Sequence, residues 1–342
     1  MVTGGAGFIG SQLVSDLLAI GAEVTVIDNE SRGSKSNLED VGFEIKDNQN
    51  YFNVDLRDPD NQKYLQDFHT VYNLAADVGG IAYALSQGIK IWKNNTLIDA
   101  NVFESALKYK TPNLIHASSS CVYPLARSSA HRGLKEKEAW QGEMHTLYGG
   151  EKLLSEKALQ MHVQGKGRTN AAIVRFHNVY GPRSIMKGRG AQVVQALISR
   201  ALNHPTRDLE VWGSGRQGRD FIYVSDITNW LVNLWLPGTQ QLPIEPVQRG
   251  SGINTPIRNI AKHILDSLDL GIEIDYVPVA DEGEKGRKAN NARFDSLYSH
   301  LPKALPIEEG INQYIDWAIA HESWWQETNL EKVKEQVFPA AA

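Results

Sequence analysis

Three glycines spaced three apart, Gly4, Gly7 and Gly10, stand almost at the start of the chain and lead into an apolar helical pattern at Leu13, Val14, Leu17 and Leu18. Glycine at such positions lets backbone come close to a diphosphate, and the helix that follows turns unpaired N–H groups toward negative charge. Residues 23–28 then read as a strand ending in an acid, which completes a strand–helix–strand unit of the dinucleotide-binding kind. Gly4, Gly7, Phe8, Ile9 and Gly10 are therefore expected around a pyrophosphate. Asp28, about twenty residues past the glycines, is placed to accept hydrogen bonds from an adenosine ribose and to repel a 2′-phosphate. Arg32 close by argues the other way, and NAD is preferred to NADP.

The alternation of strand and helix continues. Residues 51–55, 70–76, 114–120 and 171–176 read as further strands, and 89–108 and 148–161 carry helical patterns, so the fold class is α/β with a Rossmann-type doubly wound parallel sheet. Asp55, with Leu56 after it, sits where a strand ends; it either meets the adenine edge or caps a helix. Ala75 is small enough to let a cofactor lie across the strand ends, and Asn95 falls in the first turns of the following helix. Beyond Asn178 the rhythm changes, with Gly181-Pro182, a basic loop at 187–190 and a helix over 193–202. This divides the chain into an NAD-binding domain over 1–178 and a smaller, discontinuous domain over 179–330. The chain returns to the first domain near 218–240, through a strand at 221–226, and 240–293 goes back to the second. Residues 307–325 form an amphipathic helix packed by Trp317, Trp324 and Trp325, and the tail from Pro339 is expected to fray. Only Met1 and Val2 precede Thr3, where a first strand should supply about five residues, so residues upstream are expected to be missing.

Composition narrows the function. A formal charge of -5 gives no reason to expect nucleic acid, and no apolar run is long enough for a bilayer, so neither nucleic acid nor membrane is expected as a partner. The single cysteine, Cys121, excludes an internal disulfide and fits a reducing cytoplasm. No His/Cys/Asp cluster has metal-ligand spacing.

Tyr148 and Lys152 are four residues apart on one predicted helix, which puts both on one face, a turn apart. A phenol is a poor base at neutral pH, but a nearby ammonium favours its phenolate. With the Ser119 hydroxyl from a strand end, the group becomes Ser-Tyr-Lys, able to take a proton from a sugar alcohol while hydride leaves its carbon.

Residues 3–10, Asp55, Leu74-Ala75-Ala76, Asn95, Ser118-Ser119 and Tyr148/Lys152 resemble, in kind and in order, the extended short-chain dehydrogenase/reductase family over essentially the full length. The resemblance implies a permanently held NAD, a nucleotide sugar on the second domain, and a homodimer built from the two long helices of each subunit. Within the family, 75–80, 117–124, 175–182, 212–217 and Gly286-Arg287 resemble the 3,5-epimerases of GDP-linked hexoses. There Cys121 corresponds to an acid/base for carbon: a C4 ketone acidifies the hydrogens on C3 and C5, and a thiol can be tuned to remove one. The alternative for Cys121 is an inert buried thiol. Gly79, Asn178, Lys187, Arg219 and Arg287 are the positions expected to meet the sugar nucleotide, the arginines through their fork geometry. His177 is expected to be a packed structural residue, and His145 to line the pocket. One departure matters: the lysine that partners the cysteine in those epimerases falls, counted without gaps, on Gln192, whose amide cannot exchange protons. Lys187 is the possible substitute. A 4-epimerase needs only Ser119, Tyr148 and Lys152. A 4,6-dehydratase lacks its acidic pair here, where Ser120 and Cys121 stand, and a non-catalytic NAD-binding regulator would not need Tyr148 and Lys152.

Overall fold

The computed structural model describes residues 1–127, 129–166, 169–234, 244–279 and 285–326. The tail from Pro339 and part of the expected return to the first domain, 235–240, lie outside them. The first half alternates as its sequence pattern dictates: β1 (Val2–Thr3), α1 (Phe8–Ala19), β2 (Val26–Asp28), α2 (Lys35–Asp40), β3 (Tyr51–Asn53), β4 (Thr70–Asn73), α3 (Ile81–Ser86), α4 (Gly88–Lys108), β5 (Asn113–Ser119), α5 (Leu147–Lys166) and β6 (Asn170–Phe176). After these come β7 (Asn178–Tyr180), α6 (Val193–Asn203), β8 (Leu209–Trp212), β9 (Gly218–Arg219), β10 (Phe221–Tyr223), α7 (Val224–Asn233) and β11 (Val247–Arg249). The chain closes with β12 (Thr255–Pro256), α8 (Ile257–Ser267), β13 (Ile274–Val277), α9 (Ala292–Leu297) and α10 (Ile307–Ala320).

Seven strands form one parallel sheet in the order β11-β6-β5-β4-β1-β2-β3. The order reverses between β1 and β4, and ligands of open α/β sheets bind in the crevice beyond the strand ends at such a reversal. Buried strand residues Val2, Val26, Tyr72, Ile115 and Val174 join Leu13 and Val14 of α1 in one core, while Ile27, Val71, Leu114 and Ile173 face another core with Ile98 and Val102 of α4. Burial on both faces is what a parallel sheet requires, and it explains the apolar runs. A separate core gathers Leu197 and Ile198 of α6, Val211, Ile260 and Ile264 of α8, and Ile311 and Ile315 of α10.

Three stretches depart from the sequence reading. The last helix, expected over 307–325, ends at Ala320 and is followed by a separate tight turn at Glu322–Trp324. Residues 221–226 are not one strand: β10 ends at Tyr223, pairs with β7 outside the main sheet, and gives way to α7. Ile227, Trp230, Leu231 and Leu234 recur at helical spacing and are buried in the first core, so the apolar face won over the short strand pattern. Val247–Arg249, expected in the second domain, pairs in parallel with β6 as the seventh strand of the main sheet. The tryptophans do pack the last helix: Trp325 donates to the Ala318 carbonyl at 2.7 Å, and Trp317 stacks on His321. No helix among the described residues is long and apolar enough to cross a membrane.

Candidate active site

The glycine turn fits the role its spacing suggests. Gly4 has φ +67°, and a Cβ there would stand 2.9 Å from the Ala75 backbone, so the turn presses against the end of β4. A Cβ on Gly10 would overlap the Gly4 carbonyl oxygen. Gly7 begins α1 with no side-chain cap and no acid in the first turn, which leaves the helix N-terminus near Phe8 and Ile9 open to an anion. Asp28 is buried at the end of β2, where one oxygen accepts from the Ala6 N–H (3.0 Å) and the other from the Glu30 N–H (2.8 Å). Burial pushes its carboxyl up and those two bonds pull it back. Arg32 stacks over the Tyr83 ring, 5.5 Å from its centroid.

Asp55 is engaged locally. Its carboxylate takes the Arg57 backbone N–H at 2.9 Å and clamps the Arg57 guanidinium, holding its pKa below the usual carboxylate range. The helix cap expected of it is supplied by Asp58 instead, whose side chain accepts from Asp60. Leu56 is buried in the α4-side core. Asn95 is fully buried and grips the loop after β4 in both directions: it accepts from the Asp77 N–H at 2.6 Å and donates to the Asp77 carbonyl at 3.0 Å. Ala75 donates its N–H to Thr3 at 3.2 Å.

Ser119 ends β5, and its Oγ accepts from the Cys121 N–H at 3.1 Å, which fixes the turn carrying the thiol. That turn rests on α5. A Cβ on Gly149 would overlap the Cys121 carbonyl oxygen, so the glycine after Tyr148 is what lets helix and thiol turn meet. The half-buried phenol of Tyr148 therefore has Ser119, Cys121 and Lys152 as neighbours. Its acidity is not what the Lys152 charge alone implies. Loss of solvent drives the phenol pKa upward; Lys152 and Ser119 pull it down and do not fully compensate. Lys152 is 2 % exposed, and its ammonium is 3.1 Å from Asp99 Oδ2 and 4.0 Å from Glu151 Oε2. Burial disfavours that charge, but Asp99, Glu151 and Tyr148 more than restore it.

The expected substrate residues do not all converge as free groups. Arg287 is buried and donates to the Ser120 carbonyl (2.8 Å) and the Tyr123 carbonyl (3.2 Å), bracing the thiol turn from a later segment of the chain. Arg219 donates to the Gly218 carbonyl, and Asn178 to the Asp220 carbonyl. Lys187 bonds to the Ser323 carbonyl at 2.8 Å, and Gln192 is exposed at the N-cap of α6. A Cβ on Gly79 would stand 2.7 Å from the Tyr83 ring. His177 is buried against Gln248 (3.1 Å), and burial keeps it neutral, as a packed residue. His145 is exposed. A cavity of about 560 Å³, lined among others by Arg249, Asn254, His263, Asp295, Lys303 and Glu308, contains none of the expected site residues.

The NAD dependent epimerase/dehydratase family model matches residues 1–235. The chain belongs to that family. It is 30% identical over 337 residues to GDP-mannose 3,5-epimerase 1 of Oryza sativa subsp. indica, covering 98% of this chain and 83% of that protein. It is 31% identical over 323 residues to UDP-glucuronic acid decarboxylase 1 of Xenopus tropicalis, covering 93% and 71%. Among solved structures, UDP-N-acetylglucosamine 4-epimerase from Methanobrevibacter ruminantium M1 has a TM-score of 0.81 at 27% identity, over 94% of this chain and 97% of that one.

As a member of the epimerase/dehydratase family the chain is an NAD-dependent enzyme, and its open helix terminus and close-packed glycines suit a dinucleotide. The sequence pattern does not single out Asp99 and Glu151, the two carboxyl groups beside Lys152. Asp99 lies four residues after Asn95 on α4, hence on the same face, and Glu151 is next to Lys152. Those two spacings were the available signals.

Proposed function

We propose that the protein epimerises a GDP-linked hexose at a carbon beside C4, through transient oxidation at C4. Tyr148 takes the C4 hydroxyl proton, Ser119 orients that hydroxyl, and Lys152 favours the phenolate. NAD, held at the Gly4–Gly7–Gly10 turn, would supply the hydride acceptor and donor. Cys121 removes the proton made acidic by the C4 ketone, that carbon is reprotonated on its opposite face by Lys187 or by water, and the GDP portion lies near Asn178 and Arg219. The observation that carries this reading is the seating of the Cys121 turn directly on the Tyr148 helix, braced by Ser119 and Arg287.

A simple 4-epimerase is the second reading, favoured by one observation: Gln192, where the partner lysine is expected, is an exposed amide at a helix N-cap. Incubation with GDP-mannose and related sugars in D₂O separates the two. Deuterium at C3 or C5 supports proton removal by Cys121, whereas C4 inversion without label supports the 4-epimerase. Cys121→Ser is expected to abolish label uptake and leave bound NAD intact; undiminished exchange in that variant removes Cys121 from the chemistry.

We also assign the homodimer interface to α4 and α5. Ile89, Trp92 and Leu97 on α4 and Leu147, Leu154 and Met161 on α5 are exposed, the last three at intervals of seven. A stripe of large apolar side chains on two adjacent helices suits a second copy of the chain.

A further inference from the structure

Two carboxyl groups converge on the single buried ammonium of Lys152. Asp99 is 2 % exposed and Glu151 3 %. Asp99 is well supplied: it receives Lys152 at 3.1 Å and the Asn73 amide at 2.9 Å, and Asn73 in turn accepts from Thr3. Glu151 is not. Neither of its oxygens makes a hydrogen bond of normal length: the Asn95 side chain faces it more loosely, and Lys152 stands 4.0 Å off. A buried ionised carboxylate without donors is costly, and two of them beside one cation leave a net buried charge. The conflict disappears when Glu151 is a neutral acid whose O–H faces Asp99. We infer that Asp99 and Glu151 hold one proton between them and thereby set how much of the Lys152 charge reaches Tyr148.

The surroundings agree. From α5, Lys152 and Tyr148 face the pair; from α4, Asp99 itself and the neutral Asn95; from β5, His116, whose ring is 3.8 Å from Asp99; and Cys121 lies beyond the phenol. Burial pushes Glu151 up to about 8, with Asp99 adding to the rise and Lys152 opposing it, and burial drops His116 to about 4, so the imidazole is neutral. For Asp99 burial raises the carboxyl, but the Lys152 charge with the bonds to Glu151 and Lys152 leaves it below the usual range. The shared proton keeps the cluster near zero charge. Its loss adds a negative charge beside the phenol, which makes the phenolate harder to form. Asp99 and Glu151 are thus positioning residues, acting on Tyr148 through Lys152.

The inference rests on the role given to Tyr148, and its first test does not use activity. Infrared spectra of the NAD-loaded protein carrying ¹³C-labelled glutamate should contain a protonated carboxyl band at pH 7 that disappears near pH 8 and is absent from Glu151→Gln. A wild-type protein with every glutamate ionised at pH 7 overturns the inference, and no variant is needed to see it. The second test is the pH profile of kcat/KM. Glu151→Gln should match wild type below about pH 7 and exceed it above about pH 9, by roughly tenfold, because it never acquires the second charge. A uniform loss at all pH values would assign Glu151 a merely structural part. If the band is present and no sugar turns over, the shared proton stands and the proposed reaction falls.

Discussion

Tyr148 is where opposed influences meet. Desolvation holds its proton on, while Lys152 and Ser119 loosen it. Because the phenol pKa is raised, phenolate is the minor form at neutral pH, and its amount grows about tenfold per pH unit until the pKa is reached. Sugar-dependent nicotinamide reduction should therefore accelerate with pH. Lys152→Met removes the charge that opposes desolvation, and its profile should shift to higher pH, with the rate at pH 7 reduced by roughly 10²–10⁴. An unshifted profile would mean that the ammonium does not act on the phenol. Gly149 offers a different residue-scale test. Gly149→Ala drives a methyl into the Cys121 carbonyl, so a loss of about 1–3 kcal/mol in thermal or urea unfolding is expected, together with loss of deuterium uptake. Full exchange in that variant would show that the thiol turn need not touch α5.

Among the elements, what was legible in the sequence is what local pattern controls. The Gly4–Gly7–Gly10 spacing, the strand ending at Asp28 and the one-turn separation of Tyr148 and Lys152 each depend on a single strand or helix, and α4 begins at Gly88 and α5 at Leu147, within a residue of expectation. What was not legible depends on elements meeting. Glu151 looks like a solvated helix residue until the fold buries it beside Asp99 of α4, and Arg287 looks like a phosphate ligand until the chain folds it onto the Ser120 and Tyr123 carbonyls. Val247–Arg249 is too short to announce a strand; only its parallel partner, β6, defines it. Asp55 and Asp58 show the same limit at close range, because turn geometry, not residue type, decides which acid caps the helix. The contact of turn and helix at the cofactor end can be tested directly. Gly10→Ala forces the start of α1 away from Gly4, and the purified protein should carry at least tenfold less NAD than wild type by quantitative extraction; unchanged NAD content would contradict the proposed fit.

The whole molecule combines a doubly wound sheet, whose strand order reverses beside the glycine turn, with a separate second core built from α6, α8 and α10. Arg183 ties the two regions, reaching from the loop after β7 to Asp40 of α2 at 2.8 Å and to Gln12 of α1. The exposed stripe on α4 and α5 predicts a dimer, and Leu154→Glu should yield a monomer by light scattering with NAD still bound; a dimer that persists would move the interface elsewhere. The claim beneath all of this is that one phenol accepts the sugar proton as hydride leaves. It is tested most directly by mixing NAD-loaded protein with GDP-mannose and following nicotinamide absorbance in a stopped flow. Wild type should show transient reduction that decays as product forms, and Tyr148→Phe, with the same NAD content, should show that phase slowed by roughly 10²–10⁴. Reduction at the wild-type rate in Tyr148→Phe would contradict the account.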